Sequence, residues 1–147
     1  LQLTFWYNNL KKNNNLLAFI IEKDFKPVGF VEYKEFGCYE SKSCVRGIFL
    51  DPLYHGQGIG TLVYFPQELI LFDLDVNLIV VSVRVINERN MHIWKKLGAK
   101  IIRQDSDFYT LVSYKEERLN ALDKIAFDKG VINEWLTFKR KISNSNN

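Results

Sequence analysis

The segment Leu50-Asp51-Pro52-Leu53-Tyr54-His55-Gly56-Gln57-Gly58-Ile59-Gly60-Thr61 carries the strongest structural signal in this 147-residue chain. A strand-like run that starts at Cys44 ends at the first residue of this segment. Three closely spaced glycines lie near its end, and an apolar helical pattern begins directly there. The first N–H groups of a helix have no intrahelical acceptor and the helix dipole favours negative charge there, so this order predicts a phosphate-binding loop. An ordinary strand–helix connection is the alternative, because the glycines alone do not decide between the two.

Two common phosphate loops do not fit this segment. No Lys-Ser or Lys-Thr pair follows the last glycine, which excludes a Walker-type loop. The spacing Gly-x-Gly-x-Gly also differs from the dinucleotide-binding fingerprint. That fingerprint further requires an acidic residue closing a parallel strand–helix–strand unit about 20 residues later, whereas here the strand-like residues 78–85 lead into another helix.

A known family shares this loop and a second segment further along the chain. The run His55-Gly56-Gln57-Gly58-Ile59-Gly60 is similar to motif A of the GNAT superfamily of N-acetyltransferases, Arg/Gln-x-x-Gly-x-Gly/Ala. Residues 83–99 resemble motif B, a strand, an Asn that opens a helix, an aromatic residue and a closing Leu-Gly. Asn87 is a good N-cap and Gly98 a good residue to follow the helix end, so local chemistry bounds this helix. The resemblance covers roughly residues 16–114.

The predicted fold is α/β (α+β), with a mixed, mostly antiparallel sheet, a splayed parallel strand pair, flanking helices and a C-terminal helical extension. Apolar periodicity and turn residues give the individual elements. The predicted strands are Leu16–Lys23, 28–36, Ser43–Leu50, 78–85, 100–103 and Phe108–Tyr114, and the predicted helices are 58–73 and 88–97. Pro66 should kink the first helix because proline removes one backbone hydrogen bond. Residues 1–114 would form an acetyl-CoA-binding domain and residues 115–147 a helical tail.

Both ends of the chain depart from the resemblance. The family fold begins with a strand and two helices, whereas only fifteen residues precede Leu16, so we expect at least one helix to be missing or unrecorded. Phe5, Trp6 and Tyr7 either line an acceptor pocket or belong to the core. At the other end, two predicted helices pack over the sheet or against a second subunit, which would make a homodimer possible.

Composition narrows the class of protein. The chain is 47% hydrophobic and has a net charge of +3, which fits a domain with a real core and is too mild for a nucleic-acid footprint. No apolar run is long enough to span a membrane and no signal-peptide pattern is present, so the expected location is cytoplasmic. Cys38 and Cys44 flank a predicted hairpin turn, where free thiols are expected over a disulfide or a metal site.

The resemblance implies a site for acetyl-CoA as co-substrate, in the gap where strands Ser43–Leu50 and 78–85 splay apart. Backbone groups of the first strand would bind the pantetheine arm, and an N–H near its end would stabilise an oxyanion. Backbone N–H groups of the loop would bind the pyrophosphate, with further contacts from the second motif. The predicted cofactor-binding residues are Ile48, Phe49, Leu50, His55, Gly56, Gln57, Gly58, Ile59, Gly60, Thr61, Asn87 and Trp94.

Catalysis requires a base for the amine and an acid for the departing thiolate. Glu32 is the first candidate base, with an exposed strand carboxylate as the alternative, and Glu40 is the second. Trp94 stands where the family usually has a Tyr, and an indole N–H only donates hydrogen bonds, so Trp94 packs in the core or against the cofactor. Tyr109 is the candidate acid, with Tyr64 or water as alternatives.

The sequence therefore predicts an acyltransferase that moves an acetyl group from acetyl-CoA to a primary amine of a small molecule or peptide by direct attack on the thioester. A catalytically weak acyl-CoA-binding or sensing module is the alternative, because of Trp94, His55 and the short N-terminus. A structural domain that assembles through its helical tail is the third hypothesis. The intact glycines of the loop count against it.

Overall fold

The computed structural model describes residues 4–8 and 16–144, and describes no side chains for residues 4–8 and 142–144. The side chains of Phe5, Trp6 and Tyr7 therefore lie outside the described part. The strands are β1 Thr4–Asn8, β2 Leu16–Lys23, β3 Lys26–Lys34, β4 Ser43–Leu50, β5 Leu78–Arg84, β6 Lys100–Gln104 and β7 Phe108–Tyr114. The helices are α1 Ile59–Leu62, α2 Tyr64–Asp73, α3 Glu88–Lys96, α4 Lys115–Asp128 and α5 Ile132–Asn144.

The strands form one seven-stranded sheet in the order β1-β2-β3-β4-β5-β7-β6. All neighbouring strands run antiparallel except β4 and β5, which run parallel. This parallel pair is bonded only between Ser43–Val45 and Leu78–Val80, although both strands continue for several residues. The predicted mixed sheet with a splayed parallel pair is confirmed.

The first hairpin turn is tighter than the sequence predicts. Its two connecting residues, Asp24 and Phe25, have φ angles of 51° and 62°. Positive φ at both positions is the geometry of a two-residue hairpin turn, which favours Asn, Asp or Gly first and Gly second. The strand after it therefore begins at Lys26 rather than at residue 28, and Pro27 faces Glu22 beside an irregularity in the register.

The helix after the glycine loop is interrupted rather than merely kinked. Pro66 has no N–H, so the carbonyl of Leu62 four residues earlier loses its normal donor. The chain breaks at Val63 into the short α1 and the longer α2. On α2 the fully buried positions include Gln67 and Glu68, which an apolar periodicity does not pick out.

The core gathers side chains from the sheet, from α2 and α3, and from the two C-terminal helices. Its buried members include Val31, Tyr33, Cys44, Tyr64, Leu71, Ile79, Val81, Trp94, Leu97, Leu111, Leu122, Ala126 and Trp135. The last three come from α4 and α5 and are at most 2% exposed. The C-terminal helices therefore pack over the sheet of their own chain, one of the two placements that the sequence allowed. Among the described residues, no helix is both long and apolar enough to cross a membrane.

A buried ion pair joins α4 to α2. Arg118 Nε donates to Glu68 Oε1 at 2.7 Å, and the two side chains are 0% and 1% exposed. Arg118 Nη1 also donates to the carbonyl oxygens of Ser113 and Asn77. Ser113 lies near the end of β7, and Asn77 directly precedes β5. Each charge is thus compensated away from water, which is the condition for a buried pair to be tolerated.

We predict that Arg118→Met lowers the free energy of unfolding by about 3–5 kcal/mol, because it leaves the Glu68 carboxylate buried without a counter-charge. Urea unfolding followed by circular dichroism measures this difference. The double variant Arg118→Met/Glu68→Leu should recover most of the loss, since it removes both buried charges. As a matched control, Lys124→Ala on an exposed position of α4 should change stability by no more than about 0.5 kcal/mol. Equal stability of Arg118→Met and the parent chain would contradict this account.

Candidate functional site

A cleft opens where β4 and β5 have parted, between the glycine loop and the start of α3. Because the two strands are parallel, the segments that follow them leave from the same edge of the sheet. Both predicted motifs meet there. The cleft is lined by Leu50, Tyr54, His55, Gly56, Gly58, Ile59, Gly60, Thr61, Asn87, Arg89, Asn90 and Ile93.

The loop takes its shape from a local hydrogen bond and two glycines. The Asp51 carboxylate accepts the N–H of Leu53 at 2.9 Å, which starts a short 3-10 turn over Pro52–Tyr54. Gly56 and Gly58 follow with φ angles of 78° and 79°. Side chains are strained in this left-handed region, so both positions favour glycine.

The loop presents a row of free backbone N–H groups. Among the described residues, the N–H groups of Gly56, Gln57 and Gly58 have no backbone acceptor, and those of the next three residues belong to the first turn of α1. The first turn of a helix leaves its N–H groups without an intrahelical partner. The N–H of His55 is different, because it donates to the Pro52 carbonyl at 3.1 Å. The free row therefore begins at Gly56 and not, as predicted, at His55.

The side chains of His55 and Gln57 tie the loop to neighbouring segments. His55 Nε2 lies 2.8 Å from the carbonyl oxygen of Leu50, which ties the loop to the end of β4. Gln57 Oε1 accepts from Lys23 Nζ at 2.6 Å, and the Gln57 side chain is absent from the cleft lining. The backbone N–H of Gln57 has no backbone acceptor among the described residues.

Asn87 opens α3 as predicted and also faces the loop. Its Oδ1 accepts the N–H of Asn90 at 3.1 Å, the usual N-cap bond. This leaves the NH₂ group of Asn87 available at the cleft. Asn90 and Ile93, which the sequence analysis missed, line the cleft from the following turns of α3. Their spacing of three residues from the cap is the signal that could have revealed them, because residues three apart share a helix face.

At the end of β4, mainly backbone groups rather than side chains are available at the cleft. Its edge toward β3 is paired up to Leu50, whereas its edge toward β5 has no partner strand beyond Val45 among the described residues. The Ile48 side chain packs in the core, and Phe49 stacks on Phe30 with 5.7 Å between ring centroids. Of the three β4 residues predicted to bind cofactor, Leu50 alone lines the cleft with its side chain.

Trp94 lies in the core, one of the two positions that the sequence left open. It is 1% exposed and meets the Tyr64 ring edge to face, with centroids 5.3 Å apart. The Arg46 guanidinium lies over both rings, 4.8 Å from Tyr64 and 5.5 Å from Trp94. Burial raises the pKa of Tyr64. Neither ring lines the cleft, so neither hydroxyl nor indole is placed there to act as an acid.

Glu32 lies across β4 where that strand has left β5. It faces Gly47 in the register, and its Oε1 lies 2.9 Å from the point where a Cβ on Gly47 would stand. Any larger residue at position 47 would displace the carboxylate. Lys34 pairs with Glu32 at 3.1 Å, and the Glu32 side chain is 28% exposed. The carboxylate is therefore partly open to water beside the splayed strands.

The other candidate acid–base groups lie elsewhere. Tyr109 and the exposed His92 line a second hollow, between α3 and the β6–β7 hairpin, together with Glu88 and Lys95. Glu40 accepts a hydrogen bond from the Tyr114 hydroxyl at 2.9 Å. Tyr114 pairs with the first residue of β5, so Glu40 lies at the bonded end of the parallel pair and not at its open end.

The cysteines are free and differ in their surroundings. Cys38 is exposed and Cys44 is buried on β4. Burial raises the pKa of the Cys44 thiol to about 12. A thiol with this pKa stays protonated near neutral pH, so Cys44 cannot serve as a base on the strand. In the part of the chain that the structure describes, no group of three or more metal-ligating side chains occurs.

Comparison with known proteins finds a protein family and several solved structures that are similar to this chain. Residues 1–99 match the model of the acetyltransferase (GNAT) family. The N-acetyltransferase PseH of Campylobacter jejuni, crystallised with acetyl coenzyme A, is similar at a TM-score of 0.59 and 20% identity over 70% of each chain. The spermidine N-acetyltransferase of Vibrio cholerae, in complex with CoA and spermine, has a TM-score of 0.64 and 20% identity over 73% of this chain and 70% of its own. A search of curated protein sequences finds no significant match.

We predict that a disulfide-based thiol reagent labels one cysteine in the native protein at pH 8 and both after unfolding. Cys38 is exposed, whereas burial and the raised pKa keep the Cys44 thiol protonated and shielded. Absorbance of the released chromophore counts the thiols, and Cys38→Ser should remove all rapid labelling. Rapid labelling of two thiols in the folded protein would contradict the position of Cys44 in the core.

Proposed function

Because the chain belongs to the GNAT family of acetyltransferases, we propose that it transfers an acetyl group from acetyl-CoA to a primary amine of a small molecule or peptide. The observation that carries this proposal is the row of free N–H groups at Gly56–Thr61, which faces Asn87 across the opening between two parting parallel strands. Two structural neighbours with this fold support it, one in complex with acetyl coenzyme A and one in complex with CoA and spermine.

The glycine loop fits a pyrophosphate. Six consecutive backbone N–H groups without acceptors form a concave anion site, and glycine at positions 56 and 58 lets phosphate oxygens approach the backbone. Arg89 lines the same cleft from α3 and adds a positive charge. In this arrangement the His55 ring keeps the loop attached to β4, and its contribution is to the shape of the site.

The pantetheine arm would lie along the free edge of β4. Backbone groups of Ile48 and the N–H of Leu50 have no strand partner on the side toward β5 among the described residues, so an extended amide chain would pair with them as an added strand. The Leu50 carbonyl is already hydrogen-bonded to the His55 ring. The amide group of Asn87 would bind the arm from the α3 side. A backbone N–H near Leu50 would stabilise the oxyanion formed when an amine adds to the thioester.

Glu32 is the base that we propose. The amine nitrogen bonds to the thioester carbonyl carbon, the C–S bond breaks, and CoA leaves as a thiolate. Glu32, acting directly or through one water, takes the proton of the amine, and its position across Gly47 beside the splayed strands supports this role. Tyr109 lies in the hollow on the other side of α3, so we propose that solvent protonates the thiolate.

A catalytically weak acyl-CoA-binding module is the second candidate. The observation that favours it is the burial of Trp94 and Tyr64, which leaves no aromatic hydroxyl from the core of α2 or α3 at the cleft. Both candidates require acetyl-CoA binding. Release of CoA thiol over a panel of amines separates them, since a binding module releases none above the uncatalysed rate.

For cofactor binding, we predict that Gly58→Glu weakens acetyl-CoA binding on the order of 100-fold, because it places a carboxylate among the phosphate-binding N–H groups. Isothermal titration calorimetry measures the dissociation constant. Gly37→Glu is the matched control, since Gly37 has the same left-handed φ of 76° in a turn away from the cleft. Comparable affinity of the Gly58 variant and the control would show that the loop is not the phosphate site.

For the chemical step, we predict that Glu32→Gln lowers kcat by about 100-fold and leaves the KM for acetyl-CoA unchanged, because it removes a general base without touching the cofactor. Glu40→Gln, at the bonded end of the strand pair, should keep the parent rate. Full activity of Glu32→Gln would assign the base to another group.

A further inference from the structure

Two positively charged side chains, Arg89 of α3 and Lys129 at the end of α4, lie close to the glycine loop. Lys129 Nζ lies 3.9 Å from the point where a Cβ on Gly58 would stand. Arg89 Nη1 lies 4.0 Å from the corresponding point on Gly56. Arg89 belongs to the first turn of α3, whereas Lys129 ends α4 in the C-terminal helices. Positive charge is thus placed beside both left-handed glycines of the loop.

Within the described part of the chain, neither Arg89 nor Lys129 is paired with a carboxylate. The ion pairs among the described residues involve other side chains: Lys34–Glu32, Lys42–Asp75, Lys100–Glu117, Arg118–Glu68 and Lys139–Asp123. Arg89 stands near the positive end of the α3 dipole, where a cation is unfavourable unless an anion is close. Lys129 stands at the negative end of α4, which favours a cation and would place it there even without a ligand.

The backbone around Lys129 is firmly held. Ala126, one turn earlier, is 0% exposed and belongs to the core. Beyond Lys129, the N–H of Val131 returns to the Ala126 carbonyl at 2.9 Å, and Gly130 takes a φ of 69°. This is the usual glycine-closed end of a helix. The Cα of Lys129 is therefore held in a fixed position next to the loop. Its flexible side chain lets the ammonium group adjust to the position of a bound phosphate.

We propose that Lys129 binds a phosphate group of acetyl-CoA, together with Arg89 and the N–H groups of the loop, so that the C-terminal helices form part of the cofactor site. The proposal rests on the proposed function, because it assumes a CoA ester at the loop. The group that Lys129 would bind is a phosphomonoester or a pyrophosphate, and CoA carries both. Arg118 acts indirectly, since its buried pair with Glu68 fixes the helix that carries Lys129.

The experiment is calorimetric titration of the full chain with CoA and with dephospho-CoA, which lacks the 3′-phosphate. Lys129→Ala should weaken CoA binding about tenfold, as expected for one charge-assisted hydrogen bond, and Lys129→Glu should weaken it further. Lys129→Arg should keep most of the affinity. Lys124→Ala, an exposed lysine on the same helix, is the matched control and should bind CoA as the parent does.

The two ligands identify which phosphate Lys129 contacts. A tenfold loss with CoA alone assigns it to the 3′-phosphate, and an equal loss with both ligands assigns it to the pyrophosphate. Either result supports the proposal. The effect should shrink at high salt, because both partners are exposed charges.

The result that overturns the inference is a parent chain that binds CoA while Lys129→Ala and Lys129→Glu bind it equally well. The C-terminal helices would then be structural only, and the proposed function would stand. A parent chain that binds neither ligand overturns the proposed function itself. Thermal unfolding of each variant shows that the fold is intact, and because Lys129 is exposed, its replacement should lower the melting temperature by only about a few degrees through the lost helix-dipole interaction.

Discussion

The parting of β4 and β5 after three paired residues is the constraint on which the site depends. Each of the two strands keeps a full antiparallel partner on its outer edge, β3 for β4 and β7 for β5, so the sheet stays continuous. Their inner edges then diverge and leave backbone groups unpaired. Buried backbone groups without partners are costly, which means that a gap of this kind is stable when water or a ligand fills it. Under the proposed function, an extended amide ligand would pair with them.

The same divergence separates the two segments that follow the strands. The glycine loop leaves β4 and the capped start of α3 leaves β5, so the two face each other across the opening. One side supplies N–H donors and the other an amide and a guanidinium. The C-terminal helices are bound to this frame by the pair Arg118–Glu68 and by Trp135, whose ring meets Phe65 of α2 edge to face. They thereby bring Lys129 to the loop.

The boundaries of several helices could be predicted from local chemistry. Asn87 and Gly98 bound α3 through their own caps, and Pro66 interrupts the helix after the loop through its missing N–H. A turn between β2 and β3 was predicted at Asp24–Pro27, but its tight two-residue geometry was not, because Phe25 is not typical of a left-handed position. The burial of Arg118 depends on a partner 50 positions away, and the approach of Lys129 to Gly58 depends on the packing of the whole tail. Contacts of this range leave no periodic signal in the sequence.

The measurement that tests the central claim most directly is a titration of ¹⁵N-labelled protein with CoA, followed by amide NMR shifts. The account predicts the largest changes at Gly56, Gly58 and Gly60, whose N–H groups would bind phosphate oxygens, with further changes along the end of β4. Amides around the second hollow, such as those of His92 and Tyr109, should change little. Largest changes at the second hollow with an unaffected glycine loop, or no changes at saturating CoA, would contradict it.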